Sequence, residues 1–487
     1  MNDTCALRQA LRESLPDVDH VGFAPDRPPA FTYVPPSHAK ALDPEVSLVE
    51  GIRGSGKSFW WSHLSSEPHR RFIGTAFPEI RFNSHVRVEQ AFGAQATSEN
   101  APSQDVLAKL IQHFPARAIW RAVLAQRAGF AAPYPAGGQW LERVGWVHEH
   151  PEEFDELLLQ IDRQLEEQDV TLVVLFDALD RLAEDWQRIR PLAKGLLQIA
   201  LDLRATRRIR FKIFLRPDIL QDREIVGFPD ASKLLARKAA LTWRRADLYA
   251  LLFQCLGNAE RYGQAFRGLT QHTGLLWKRS EPAQAWLLPG PMRTDEHLQE
   301  SVFALLAGKA MAAGPSGFKR GKPYTWLVNH LLDSLDQVSP RSFFAALRQA
   351  ADETPDDHPL AIDYRMIAKG VQSASQIRVD EVTTEDYPWV DLVMRPLRGR
   401  LTVPCAAQDI QELWRIDGTL ESLLDKLHSS SGVKLPPQHL SEGHAGVLAD
   451  LESLGLLKRL DDQRIQMPDV YRIAFGLGRR GGVKPLK

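Results

Sequence analysis

The sequence predicts an α/β protein: a parallel sheet with helices on both faces, then a helical lid and a small C-terminal winged-helix-like domain. Three observations predict it. Between residues 45 and 243, short β-rich runs alternate with longer helical ones. That alternation implies parallel strands joined by right-handed crossovers. The run 46–49 feeds a glycine-rich loop that opens a helix, and the run 172–176 (LVVLF) is continuously apolar, as a strand buried on both faces should be. After about residue 245 the strands stop and amphipathic helices take over.

The elements divide into four segments. Residues 1–44 form an N-terminal extension, a short helix followed by a proline-rich strap (Pro25, Pro28, Pro29, Pro35, Pro36) that Phe31 and Tyr33 pin down. Residues 45–244 are the sheet core. Its expected strands are 46–50, 78–82, 170–177, 209–215 and 238–243, and its helices 57–65, 104–128, 152–168 and 187–205. Residues 245–384 form the lid, with helical runs at 247–253, 297–312, 324–335 and 341–351, an exposed basic loop at 313–323 and a linker at 353–360. Residues 385–487 contain helices at 413–428 and 444–457. A hairpin follows, from 456–460 and 464–467 around Asp461-Asp462-Gln463. Helices followed by a hairpin suggest a winged helix-turn-helix.

Composition narrows the function classes. The chain has 487 residues, 44% hydrophobic and 25% charged, with a net charge of −1. That balance gives no global attraction to nucleic acid or membrane. Cys5, Cys255 and Cys405 are far apart and odd in number, which excludes a disulfide framework and fits a reducing cytoplasm. No run of about 18 apolar residues exists, so no membrane contact is expected. The first fifteen residues are charged where a signal peptide needs an apolar core.

The chemistry is carried by Gly51-Ile52-Arg53-Gly54-Ser55-Gly56-Lys57-Ser58, which has the form G-x-x-x-x-G-K-S between a strand and a helix. Gly51, Gly54, Ser55 and Gly56 let backbone N–H groups approach a phosphate chain. Lys57 reaches the β- and γ-phosphates and Ser58 ligates Mg²⁺. The expected ligands are therefore ATP and Mg²⁺. Such a site needs a carboxylate on a neighbouring strand, and Asp177 closes the apolar run 172–176. Asp180, three residues on, is either the group that orients and deprotonates the attacking water or the N-cap of a helix beginning at Arg181. Asp185 and Asp202 read as solvated helix faces. Arg216 ends the strand 209–215; it either stabilises γ-phosphate charge or pairs with Asp218 or Asp180. In Ser339-Pro340-Arg341, Ser339 caps a helix start, and Arg341 is either a lid residue over the phosphates or a surface arginine.

Together these residues resemble the AAA+/STAND branch of P-loop ATPases across roughly 45–352. Asp177-Ala178-Leu179-Asp180 looks like the D-x-x-D form of STAND proteins, Arg216 falls at the fourth-strand position and Arg341 at the sensor-2 position of a lid. The resemblance implies slow, partner-regulated ATP hydrolysis used as a conformational switch. It further implies a homo-oligomer or an effector partner, and bacterial anti-phage defence. The chain departs from STAND proteins in carrying Arg181 after the second acid and in lacking a repeat array. Its layout is closer to origin-recognition initiators, which carry an adjacent acid pair missing here. A DNA-binding initiator or transposition regulator, and a nucleotide-stabilised scaffold without turnover, are the alternatives.

DNA contact would run through the C-terminal domain. Arg472, Arg479, Arg480, Lys484 and Lys487 stand against the single acid Asp469 in the last 23 residues, among Gly476, Gly478, Gly481 and Gly482. Trp60 and Trp61 follow the loop, either both in the core or one against a neighbouring subunit. His148 and His150 read as loop residues. Arg204, Arg207 and Arg208 are candidates for an arginine acting across subunits.

Overall fold

The computed structural model describes residues 3–16, 27–82, 85–94, 97–183, 185–314, 316–428, 435–480 and 483–485. The chain forms two compact units. One comprises residues 25–29 and 34–242; the other comprises 1–24, 30–33 and 243–487.

The first unit is a five-stranded sheet. Its strands are β1 (Leu48–Glu50), β2 (Val86–Gln90), β3 (Thr171–Phe176), β4 (Ile209–Leu215) and β5 (Ala239–Ala240). They lie in the order β2-β3-β4-β1-β5 and every pairing is parallel. Val49 faces Phe214 and Phe176 faces Ile213 across the ladder. Leu172 to Phe176 are all buried, as the apolar run requires. In β4 the charged residue Lys212 is also buried. Its ammonium donates to the carbonyls of Ala41, Asp43 and Val46 at 2.9, 2.9 and 2.7 Å. Burial lowers its pKa to about 7, against the pull of Asp43 and Glu45.

Three expectations for this unit are corrected. The second strand is 86–90 and not 78–82. The helix Glu67–Ala76 runs up to that segment, and Ile80 N–H closes a turn on the Phe77 carbonyl. Val86-Arg87-Val88-Glu89-Gln90 is an edge strand whose outer face meets water, so its charges hide it from a search for apolar runs. The helix expected at 104–128 is two, Gln104–His113 and Ala116–Ala128. Phe114 precedes Pro115 and is extended at φ −131°, ψ 148°. His148 lies in a helix, Trp140–Glu149, and His150 ends it.

Both tryptophans after the loop are core residues. Trp60 donates to His38 Nδ1 at 3.3 Å, and Trp61 donates to the Leu175 carbonyl at 3.2 Å. His38 and His63 are buried among them. Burial lowers their pKa to about 3 and about 4. Below pH 6.5 the unfolded chain takes up protons that the folded chain refuses, so stability falls between about pH 6.5 and 3. The loss is roughly 2 kcal/mol per imidazole at pH 5. The melting temperature is expected to drop by on the order of 10 °C from pH 7.5 to pH 5. A flat profile over that range would contradict this.

The second unit is mainly helical. The N-terminal helix Asp3–Ser14 packs on helices Arg245–Gly257, Gly263–Gln271 and Pro340–Glu353. Buried Arg8 donates to the carbonyls of Leu360 and Ala361 at 3.0 and 3.1 Å. Residues 353–360 are therefore an anchored strap and not a loose linker. The strands do not stop at 245, since β6 (Lys278–Ser280) and β7 (Ala285–Leu287) form an antiparallel hairpin. Helix Tyr364–Asp380 packs along Pro340–Glu353 and runs on into a π-helical turn, Glu381–Asp386.

Toward the C-terminus, β8 (Thr402–Val403) leads into helices Ala407–Ile416 and Thr419–His428, split at Gly418 where one helix 413–428 was expected. Helix Gly443–Ser453 then meets the expected hairpin, β9 (Lys458–Arg459) with β10 (Ile465–Gln466). The basic tail is built in: β11 (Gly478–Arg479) pairs with β8. Arg472 is fully buried against Asp469 at 2.6 Å, and Arg479 reaches the same carboxylate at 3.1 Å. Gly481, Gly482 and Lys487 lie outside the described residues. No described helix is long and apolar enough to cross a membrane.

Candidate nucleotide site

The phosphate loop joins β1 to helix Lys57–His63, and Gly51 N–H ties it to the end of β4 through the Leu215 carbonyl at 3.0 Å. Two glycines shape the loop, one by close approach and one by its backbone angle. A Cβ on Gly51 would sit 2.3 Å from Ser55 Oγ, and Gly56 has φ +107°. The Lys57 ammonium spans the loop, donating to the Gly51 and Ile52 carbonyls at 2.7 and 2.9 Å.

Asp177 follows β3 and is 1% exposed. It is not on the neighbouring strand, as expected; β4 lies between β1 and β3. The Ser58 hydroxyl donates to its carboxylate, so loop and strand end still meet. Burial raises the pKa of Asp177, against the Ser58 hydrogen bond, the Lys57 charge and the Ala178 N–H. Its Oδ2 is buried with no hydrogen-bond partner. A buried acceptor of that kind carries an unmet cost. Beside a serine hydroxyl it suits a hard divalent cation with oxygen ligands. Ser58 and Asp177 thus fit Mg²⁺.

Burial lowers the pKa of Lys57 to about 8; Asp177, Asp180 and Asp218 oppose that shift and Arg216 adds to it. These five side chains therefore share one electrostatic site. Asp180 lies in a single 3-10 turn, Leu179–Arg181, after Ala178 in the left-handed region at φ 56°. It caps no helix: the next one, Trp186–Asp202, is capped by Asp185, which accepts from Arg188 N–H at 2.8 Å. Asp185 is thus an N-cap and not merely a solvated face. Arg216, at the end of β4 between the loop and Asp177, pairs with Asp218 at 3.1 Å. Arg341 belongs to the helical unit and pairs with Glu381 at 2.5 Å.

Sequence reasoning missed a positioning residue. Trp61 ties the helix bearing Ser58 to β3 through the Leu175 carbonyl, and Gln90 donates to the Trp61 carbonyl at 3.2 Å. A Cβ on Gly93 would strike the Trp61 ring at 2.4 Å. The Gly93 position after a strand was the available signal.

Residues 45–193 match the KAP family P-loop domain. A comparison with curated protein sequences finds no match. Among solved structures, the chain is similar to the Aeropyrum pernix ORC2 protein in ADPNP-ADP complexes. Identity is 14% and the TM-score 0.39, over 91% of this chain and 93% of that one. Cdc6p from Pyrobaculum aerophilum is 12% identical with a TM-score of 0.30, over 91% and 93%. The sheet unit has a P-loop NTPase fold.

Proposed function

We propose that the chain is a Mg²⁺-dependent ATPase whose nucleotide state is a switch read by a partner protein. The carrying observation is the Ser58–Asp177 hydrogen bond, with the unmet Asp177 Oδ2 beside Lys57. Mg²⁺ bound by Ser58 and Asp177 would offset charge on the phosphate chain. Lys57 exchanges its two carbonyl partners for the β- and γ-phosphate oxygens. Asp180 orients a water whose oxygen attacks the γ-phosphorus as the bond to the bridging oxygen breaks. Asp180 takes the water proton, and ADP and phosphate leave. Arg216 steadies the departing charge. A role for Arg341 at the phosphates requires its release from Glu381.

Phosphate release by wild type and Asp180→Asn tests this reading. The substitution is expected to slow turnover about 10²–10³-fold with little change in ATP affinity. Equal turnover would remove Asp180 from the mechanism. ATP binding without any release would favour the scaffold alternative.

The proposed setting, anti-phage defence, rests on the resemblance of Asp177-Ala178-Leu179-Asp180 to the D-x-x-D form of STAND proteins. The initiator-type alternative is supported by the order of helix Gly443–Ser453 and the hairpin. Charge favours a protein partner over DNA. Residues 385–487 carry fourteen Lys and Arg and fourteen Asp and Glu. The hairpin cations are paired: Lys458 with Asp336, Arg459 with Glu452 and Arg464 with Asp462. Phosphate binding draws on uncompensated cations.

A further inference from the structure

The sheet unit carries a second charged cavity, at the opposite end of its strands from the phosphate loop. Its volume is about 220 Å³, and Glu45, Arg204, Arg210, Lys233 and Arg237 line it. Arg210 is the second residue of β4, and Arg216 follows the end of that strand. Six residues of extended chain separate them, about 20 Å. Occupants of the two sites would not touch.

The charges in this cavity do not balance. Arg210 pairs with Glu45 at 2.9 Å and is held by the Thr206 and Ile209 carbonyls, both at 2.9 Å. Lys233 pairs with Asp230 at 2.9 Å. Arg204 donates to the Lys233 carbonyl at 3.2 Å. Neither Arg204 nor Arg237 has a carboxylate partner among the described residues. Two arginines without a carboxylate partner among the described residues thus line one cavity. They sit on different supports, Arg204 in the 3-10 turn Leu203–Ala205 and Arg237 just after helix Ala231–Leu235.

We infer that this cavity binds a phosphate-bearing anion about the size of a pyrophosphate group. Guanidinium forks match phosphate oxygens two at a time. A single carboxylate would offset only one of the two uncompensated charges. The cavity is smaller than the roughly 300–1,000 Å³ typical of larger organic ligands, so the anion is compact. The source is either a free di- or triphosphate group or successive phosphates of a nucleic-acid backbone.

The test uses the full chain carrying Lys57→Ala, which strongly weakens phosphate binding at the loop. Calorimetric titration with pyrophosphate is expected to reveal a site whose affinity falls as salt rises. Adding Arg204→Ala and Arg237→Ala should weaken it about tenfold or more, and the paired lysine substitutions should restore part of the loss. Both arginines are exposed, so melting temperatures should match and exclude unfolding. Competition by a single-stranded oligonucleotide would assign the site to backbone phosphates; no competition would assign it to a free anion. Absence of pyrophosphate binding at low salt, or binding that ignores the arginine pair, would overturn the inference. If Lys57→Ala left ATP binding intact, the loop reading would fail while this one stood.

Discussion

Alanine at Lys57 is expected to raise the ATP dissociation constant about 10²–10⁴-fold, the largest effect on binding of any single substitution in the site. Lys57 already sits across the loop, with its ammonium on the Gly51 and Ile52 carbonyls. A phosphate chain replaces neutral acceptors with charged ones at little cost in reorganisation. Each charge-assisted bond contributes about 1.5–3 kcal/mol, and two are lost. The loop itself survives, because Gly51 N–H remains on the Leu215 carbonyl. The pH profile carries a second signature. Burial leaves Lys57 protonated only below about pH 8, and bound phosphate raises that value. Above pH 8, binding must therefore take up a proton, and affinity should fall toward about tenfold per pH unit. Fluorescent-nucleotide titrations at several pH values check both claims. Wild-type affinity in the alanine variant would refute them.

Asp177→Asn is expected to separate stability from activity. The carboxylate is almost fully buried and its pKa is raised, first by that burial. A raised carboxylate pKa means the charged form is disfavoured in the folded chain, so above that pKa the charge costs stability. The amide is nearly the same shape and carries no charge. Without nucleotide, the variant should melt no lower than wild type. Its turnover should fall about 10²–10³-fold, since the neutral amide would hold Mg²⁺, the cation that offsets charge on the phosphate chain, far more weakly. Added Mg²⁺ with ADP should raise the wild-type melting temperature and leave that of the variant nearly unmoved. Retained turnover, or an equal Mg²⁺ response, would exclude Asp177 from the site.

Much of this site was legible because its signals are local. The loop 51–58 and the buried run ending at Asp177 each need only adjacent residues to be recognised. What failed depended on partners distant in sequence. Edge strand β2 is amphipathic because only the fold says which side meets water. Arg472 reads as a tail cation until Asp469 and the carbonyls of Leu477 and Val483 enclose it. Residues 353–360 read as a linker until Arg8, some 350 residues earlier, binds their carbonyls. The intervening position of β4 is likewise invisible in sequence, since strand order is set by crossovers and not by composition. The pairing of Arg204 with Arg237 is invisible in sequence for the same reason: sheet topology brings them to one cavity.

Equilibrium dialysis of ATP against the full chain, with Mg²⁺ and with a chelator, tests the composite site most directly. The expected result is one ATP retained per chain with Mg²⁺, much weaker retention when the metal is removed, and loss of retention in Lys57→Ala. Failure of the wild-type chain to retain ATP at any Mg²⁺ concentration would contradict the account.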